Sequence, residues 1–172
     1  MRKLMIVVLE WLLAKLTGFR RIVEGIVGLQ WGDEGKGAEV MRLFKGMYLV
    51  VRVQGGGNAG HTTVVKDPQT GKPGALVLHL LPSSVAWGKR IAIAAGVVVN
   101  PFGLIQEVKH TRSFGINPIP HGKLSVDPRC AMVMIYHRVM DMAQEIVKSR
   151  ERSGKPIGTT AQGIGPTYAD IT

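Results

Sequence analysis

Three glycine-rich stretches constrain this chain more than any other feature, and two of them sit close behind short apolar runs. Ile26-Val27-Gly28-Leu29 leads to Gly32-Asp-Glu-Gly-Lys-Gly37, and Tyr48–Val53 leads to Gly55-Gly-Gly-Asn-Ala-Gly60. The third stretch is Gly158-Thr-Thr-Ala-Gln-Gly-Ile-Gly-Pro166. A short apolar run that ends in a glycine turn reads as a buried strand, and a strand buried on both faces belongs to a parallel sheet. The first turn leads into Ala38–Phe44, which is helix-compatible, and strand–turn–helix alternation along the chain predicts an α/β fold with a mainly parallel sheet and flanking helices. At 172 residues and 45% hydrophobic content, the chain can bury a core of one domain.

The remaining elements follow from turn and cap signals. Thr63–Val65 and Ala75–Leu80 are expected to form a hairpin across the polar loop 66–74. Arg90–Ala94 and Lys123–Val126 read as strands. Asn100-Pro101 supplies a cap and a first-turn proline, which predicts a helix to about Ser113 that Gly115 ends. Asp127-Pro128 repeats that signal and predicts a second helix to about Arg152. Met132, Val133, Tyr136, Val139, Met140, Ala143, Ile146 and Val147 are expected to form its core-facing side.

Charge and cysteine usage exclude several classes. The balance of 22 Lys and Arg against 12 Asp and Glu gives a net charge of +10, which suits anionic partners such as phosphates. Basic residues form no long run and are not interleaved with aromatics, so no nucleic-acid partner is expected. No uninterrupted apolar stretch is long enough to span a bilayer, and no membrane partner is expected. Cys130 is the lone cysteine, which excludes an internal disulfide and fits a reducing, cytoplasmic setting. It reads as a buried thiol. Residues 1–21 hold Arg2, Lys3, Lys15, Arg20 and Arg21 against Glu10 and read as a basic amphipathic extension, helical or leader-like. The domain proper is expected over 22–172.

Two of the glycine turns bear chemistry. At a strand-to-helix turn, backbone N–H groups and the helix dipole cradle an anion, and Lys36 would add a point charge. Against the phosphate-loop pattern G-x-x-x-x-G-K-[ST], Gly35 and Lys36 fit, while Gln30 and Gly37 stand at the first glycine and hydroxyl positions. Asp33 inside the loop is then the natural metal ligand or base. The plain alternative is a tight turn with solvated Asp, Glu and Lys. In the second turn, His61 directly follows Gly60 at the C-terminal end of a strand, where α/β ligand sites form. An imidazole with an ordinary pKa near 6.5 suits proton transfer at neutral pH. His79, His110, His121 and His137 lack such a setting and read as structural or surface groups.

The residues closely resemble the adenylosuccinate synthetase family. Gln30-Trp-Gly-Asp-Glu-Gly-Lys-Gly37 matches its QWGDEGKG signature, and Gln54-Gly-Gly-Gly-Asn-Ala-Gly-His-Thr62 resembles the loop ending in NAGHT. Leu78-His-Leu-Leu-Pro-Ser83, Gly96-Val-Val-Val99, Ile157-Gly-Thr-Thr160 and Gly163-Ile-Gly-Pro-Thr-Tyr168 resemble later landmarks in family order. The likeness covers about Ile22 to Tyr168. Departures occur at Ala38–Met41, at Ala94-Ala95 and at Gln162. The family's segments for guanine and aspartate lie further on, so the chain is expected to be an N-terminal portion with an incomplete, P-loop-NTPase-like fold.

The resemblance implies a GTP-dependent ligase that joins IMP to L-aspartate through 6-phosphoryl-IMP, with Mg2+ and as a homodimer. Asp33 and His61 would be its catalytic pair. Gly32, Asp33, Glu34, Gly35, Lys36, Gly37, Gly60, His61 and Thr62 would bind GTP. Asp33, Glu34, Gly35, Lys36, Asn58, Ala59, Gly60, His61 and Thr160 would bind IMP. Asp33 and the Gly60 carbonyl would hold the metal. The alternative is a catalytically incompetent fragment that keeps only a phosphate-binding loop.

Overall fold

In a computed structural model the described residues are 4–8, 23–28, 35–43, 47–151 and 158–171. The chain divides into two compact units, residues 1–48 and 49–172, and each is taken by itself. The boundary expected at 21/22 falls outside the described residues.

In the first unit, β1 (Leu4–Val8) pairs antiparallel with β2 (Glu24–Gly28), with Ile6 opposite Ile26. The reading of residues 1–21 as helical fails over Leu4–Val8. Ile6, Val7 and Val8 are rich in β-branched carbons, and they pair with a second β-branched run instead of winding. Parallel pairing was expected for β2, but its pairing among the described residues is this antiparallel one. Helix α1 (Lys36–Leu43) packs against β2.

The second unit is built on a parallel sheet. β3 (Leu49–Arg52), β6 (Arg90–Ile93) and β8 (Leu124–Val126) lie in the order β3-β6-β8, with β6 in the centre. Its Ile91 and Ile93 are buried as a central strand demands. The ladder breaks at Ala94–Gly96 and resumes. Gly55 bridges Val97 in parallel, and β7 (Val98–Val99) pairs with β9 (Ala131–Met132). The expected hairpin is present as β4 (His61–Lys66) and β5 (Pro73–Leu78), in antiparallel register with His61 opposite Leu78.

The predicted helix after Asn100 is α2 (Pro101–Ser113). The Asn100 side-chain oxygen accepts from the amides of Phe102 at 3.1 Å and Gly103 at 3.2 Å, so two first-turn donors are satisfied. Gly115 ends it with φ +74°. Leu104 and Val108 face a core of Leu76, Leu78, Leu81, Val85 and Ile91, and Leu80, Ile93, Val97 and Val99 form its neighbour.

Asp127-Pro128 does not open a helix. The Asp127 carboxylate accepts from the Arg129 amide at 2.9 Å, and the Cys130 amide donates to the Asp127 carbonyl at 3.0 Å. That closes a turn, and Ala131–Met132 is released into β9. Helix α3 (Ile135–Glu151) starts only afterwards. Its expected core side is also corrected. Of the eight residues named, Val133 alone is buried, while Met132, Tyr136, Val139, Met140, Ala143, Ile146 and Val147 are exposed. The core space of this unit is filled by β5, β6 and β7. Helix α3 is instead joined through buried His137 to α4 (Ile164–Asp170), where His137 Nε2 lies 2.9 Å from an Asp170 oxygen.

Candidate functional site

Residues 32–34, and with them Asp33, lie outside the described residues. The structure does describe the end of that loop. Gly35 takes φ +74°, and its carbonyl accepts from the amides of Ala38 at 3.0 Å and Glu39 at 3.3 Å, so Lys36 and Gly37 form the first turn of α1. This places Lys36 at a helix N-terminus, where an anion is favoured.

Asn58, Ala59, Gly60, His61 and Thr62 lie together in the second unit, between the C-terminal end of β3 and the first residues of β4. Asn58, Ala59, Gly60 and Thr62 are exposed and His61 is half-buried. Arg52, the last residue of β3, organises the turn. Its guanidinium donates to the Gly56 carbonyl at 2.6 Å, to the Gln54 carbonyl at 3.4 Å and to the His79 carbonyl. Burial pulls the Arg52 pKa below its usual value, while the Glu107 carboxylate opposes that shift. The fork geometry of a guanidinium lets one side chain hold several carbonyls in this way.

His61 Nε2 is 2.9 Å from the Leu81 carbonyl. A carbonyl only accepts, so Nε2 carries a proton and Nδ1 is the nitrogen left for chemistry. Burial lowers the His61 pKa below its ordinary value. The Leu81 carbonyl and Glu107 act to raise it, and Arg52 and His79 act to lower it. At neutral pH the ring is uncharged in the chain alone.

The third glycine stretch meets the second. Tyr168 on α4 donates its hydroxyl to the Gly96 carbonyl at 2.7 Å and accepts from the Gly55 amide at 3.1 Å. The loop that holds exposed Thr160 is tied to α3. The Gly158 amide donates to Glu145 at 2.6 Å, the Gly163 amide to Asp141 at 2.8 Å, and Arg138 reaches the Ala161 carbonyl at 3.5 Å. Ala161 takes φ +50°, the sole non-glycine with positive φ among the described residues.

Sequence reading missed three supports: Arg52, Glu107 and Tyr168. Glu107 had a signal. It stands on the same stripe of α2 as Leu104, Val108 and Thr111, where a carboxylate has no business unless it is bonded. Cys130 is half-buried rather than fully buried. Its thiol points at the Ala94 carbonyl at 3.2 Å, and burial raises its pKa, which suits a packing thiol and not a nucleophile. Among the described residues no group of three or more His, Cys, Asp and Glu could hold a metal ion, and no helix is long and apolar enough to cross a membrane.

A family model described as adenylosuccinate synthetase matches residues 25–172. The chain belongs to the adenylosuccinate synthetase family. Adenylosuccinate synthetase of Syntrophus aciditrophicus is 45% identical over 146 residues, which are 84% of this chain and 31% of that protein. That of Clostridium botulinum (strain Langeland) is 41% identical over 84% of this chain and 32% of its own length. A solved structure of fully ligated adenylosuccinate synthetase from Plasmodium falciparum matches with a TM-score of 0.67 and 34% identity, covering 83% of this chain and 31% of that one. Succinoaminodeoxyadenylate synthetase of cyanophage S-2L shares the fold at a TM-score of 0.55. The chain therefore spans about a third of the length of the adenylosuccinate synthetases it matches. Family membership agrees with the α/β architecture, in which the His61 turn sits at the C-terminal edge of a parallel sheet.

Proposed function

We propose that this chain supplies the phosphate-handling part of an adenylosuccinate synthetase, a GTP-dependent C–N ligase that turns GTP, IMP and L-aspartate into GDP, phosphate and adenylosuccinate. The observation that carries the reading is His61. It is held by the Leu81 carbonyl beside a glycine turn at the end of β3, in a chain that belongs to the adenylosuccinate synthetase family.

Asp33 would take the N1 proton of IMP. The purine O6 then attacks the γ-phosphorus of GTP, the bond to the β-phosphate oxygen breaks, and GDP leaves with the electron pair. In the second step the amine of aspartate attacks C6 and inorganic phosphate leaves. His61 would place its Nδ1 against the transferring phosphoryl group. Bringing that anion against a desolvated imidazole would oppose the downward push on its pKa, so Nδ1 would take up a proton from solvent as the nucleotide binds. Gly32, Glu34, Gly35, Lys36, Gly37, Gly60 and Thr62 would hold the GTP phosphates, largely through backbone N–H groups and the Lys36 charge. Asn58, Ala59 and Thr160 would hold IMP. Positioning and charge neutralisation dominate the lowering of such barriers.

Asp33 and the Gly60 carbonyl are hard oxygen donors of the kind Mg2+ accepts, and the described residues include Gly60 in an exposed turn. When bound, Mg2+ would neutralise phosphate charge. The homodimer and the cytoplasmic setting belong to the same reading. The lone cysteine supports the latter.

Calorimetry of the chain with GTP and Mg2+ tests this. Lys36→Ala removes one charge-assisted contact, worth about 1.5–3 kcal/mol, so the affinity should fall about tenfold or more. An unchanged affinity would overturn the phosphate role of the loop. Chromatographic detection of adenylosuccinate after adding IMP and aspartate then separates a competent chain from one that only binds nucleotide.

A further inference from the structure

The proposed role of His61 depends on a ring nitrogen aimed by one backbone carbonyl, and the hold on that carbonyl can be traced further. After β5 ends at Leu78, the amides of three consecutive residues lack a ladder partner. All three converge on Glu107 of α2. Oε1 accepts from His79 at 3.0 Å and Leu80 at 2.8 Å, and Oε2 accepts from Leu80 at 3.1 Å and Leu81 at 3.0 Å. Glu107 is 8% exposed, Leu80 1% and Leu81 fully buried, so water cannot replace these bonds.

The Leu81 carbonyl belongs to a peptide whose nitrogen is that of Pro82. That peptide has no N–H to anchor it. Its direction is set by the torsions of Leu81, between the amide bonded to Glu107 on one side and the proline ring, at φ −57°, on the other. Arg52 braces the same stretch through the His79 carbonyl. The imidazole therefore reads its orientation from a carbonyl that the carboxylate holds in place.

We propose that Glu107 is the positioning residue for His61: by gathering the amides of residues 79–81 it fixes the Leu81 carbonyl, which accepts the hydrogen bond of Nε2–H and leaves Nδ1 to the substrate. This deepens the reading of His61 given above and rests on it for its catalytic meaning. It also goes beyond a packing role. A carboxylate that merely satisfied buried donors would act on the His61 ring through its charge alone, with no hold on which ring nitrogen keeps the proton or on how fast that proton exchanges.

The test is made on the 172-residue chain with 15N-labelled histidine, at a fixed pH of about 8 where an ordinary imidazole is neutral. In the wild type, long-range 1H–15N correlation should give His61 as one tautomer with Nε2 protonated. Its Nε2 proton should exchange with water at least about tenfold more slowly than a ring proton of exposed His110. Glu107→Gln offers one acceptor oxygen where two are used, so an amide of 79–81 must turn away. His61 should then populate both tautomers, and its Nε2 proton should exchange about tenfold faster. The amides of Ile91 and Val108 serve as the control for an intact fold.

If Glu107→Gln loosens residues 79–81 and leaves the His61 tautomer and exchange untouched, the proposal is overturned. Should that variant not fold, Glu107→Asp, which keeps the charge and draws it back by one methylene, is expected to move both readouts in the same direction. A wild-type His61 that already mixes tautomers with an unprotected Nε2 proton overturns the proposal without any variant. None of these measurements needs nucleotide, so their failure is separate from a failure of GTP binding.

Discussion

Gly56 occupies a place where no side chain fits. A Cβ built there would lie 2.4 Å from Ile164 Cδ1, 2.8 Å from Val98 Cγ2 and 3.2 Å from the Val98 carbonyl. The glycine is buried, and its own carbonyl is taken by Arg52. Isoleucine can swing its terminal methyl aside, but Val98 is β-branched, sits in β7 and cannot. Gly56→Ala should therefore destabilise the chain by about 1–3 kcal/mol, the usual range for overpacking, read from urea unfolding. A loss below about 0.5 kcal/mol would show that the second and third glycine stretches are not packed as described. At this scale the sequence is legible where chemistry and geometry coincide, as at His61 on its glycine turn. What escapes it is the distant partner: Arg52 reaches the His79 carbonyl 27 positions away, and Glu107, whose place on the α2 stripe marks it only as bonded, takes the His79 amide 28 positions away, meetings that no local pattern encodes.

Two identical-looking signals show what local chemistry does and does not decide for an element. Asn100-Pro101 and Asp127-Pro128 both offer an acceptor followed by a proline. After Asn100 the next residues place Leu104, Val108 and Thr111 on one side of a helix against the core, so capping and burial agree. After Asp127 they disagree. Its carboxylate turns to Arg129, taking the amide at 2.9 Å and the guanidinium at 3.0 and 2.8 Å, and β9 then pairs with β7 and buries Val133. A methionine- and valine-rich helical period from 132 onward reads as core because periodicity says which residues share a side, not whether anything covers that side. The turn itself is testable by pH. The Arg129 side chain, then its amide, hold the Asp127 carboxyl down at about 2. A folded pKa below the unfolded value near 3.9 means the turn's contribution is present above about pH 4 and is lost as pH falls through about 2. In a 13C titration, Arg129→Ala should move the Asp127 midpoint upward by part of that gap, since the amide bond remains. A midpoint unmoved by the variant would remove the guanidinium from the account.

At the scale of the whole chain, charge and ligand set the last expectation. The net charge of +10 creates a field that favours any polyphosphate, and such attraction between solvated charges weakens as the Debye length shrinks with salt. Each residue proposed above to meet GTP would address its phosphates: those of the 32–37 stretch, with the Lys36 charge, and the Gly60–Thr62 segment. Discrimination between purine bases needs donors and acceptors matched to the base edge, and a site that lacks them for one base cannot reject another. None of the assigned residues is given that task. The 172-residue chain should therefore bind GTP and ATP with affinities within about threefold, a difference below 1 kcal/mol. Both affinities should fall together between low and physiological salt, and Lys36→Ala should weaken both alike. Calorimetry with the two nucleotides at two ionic strengths decides it. A preference for GTP of tenfold or more would mean that this chain already contains a guanine-reading group, and a salt-independent affinity would mean that phosphate attraction is not what holds the nucleotide.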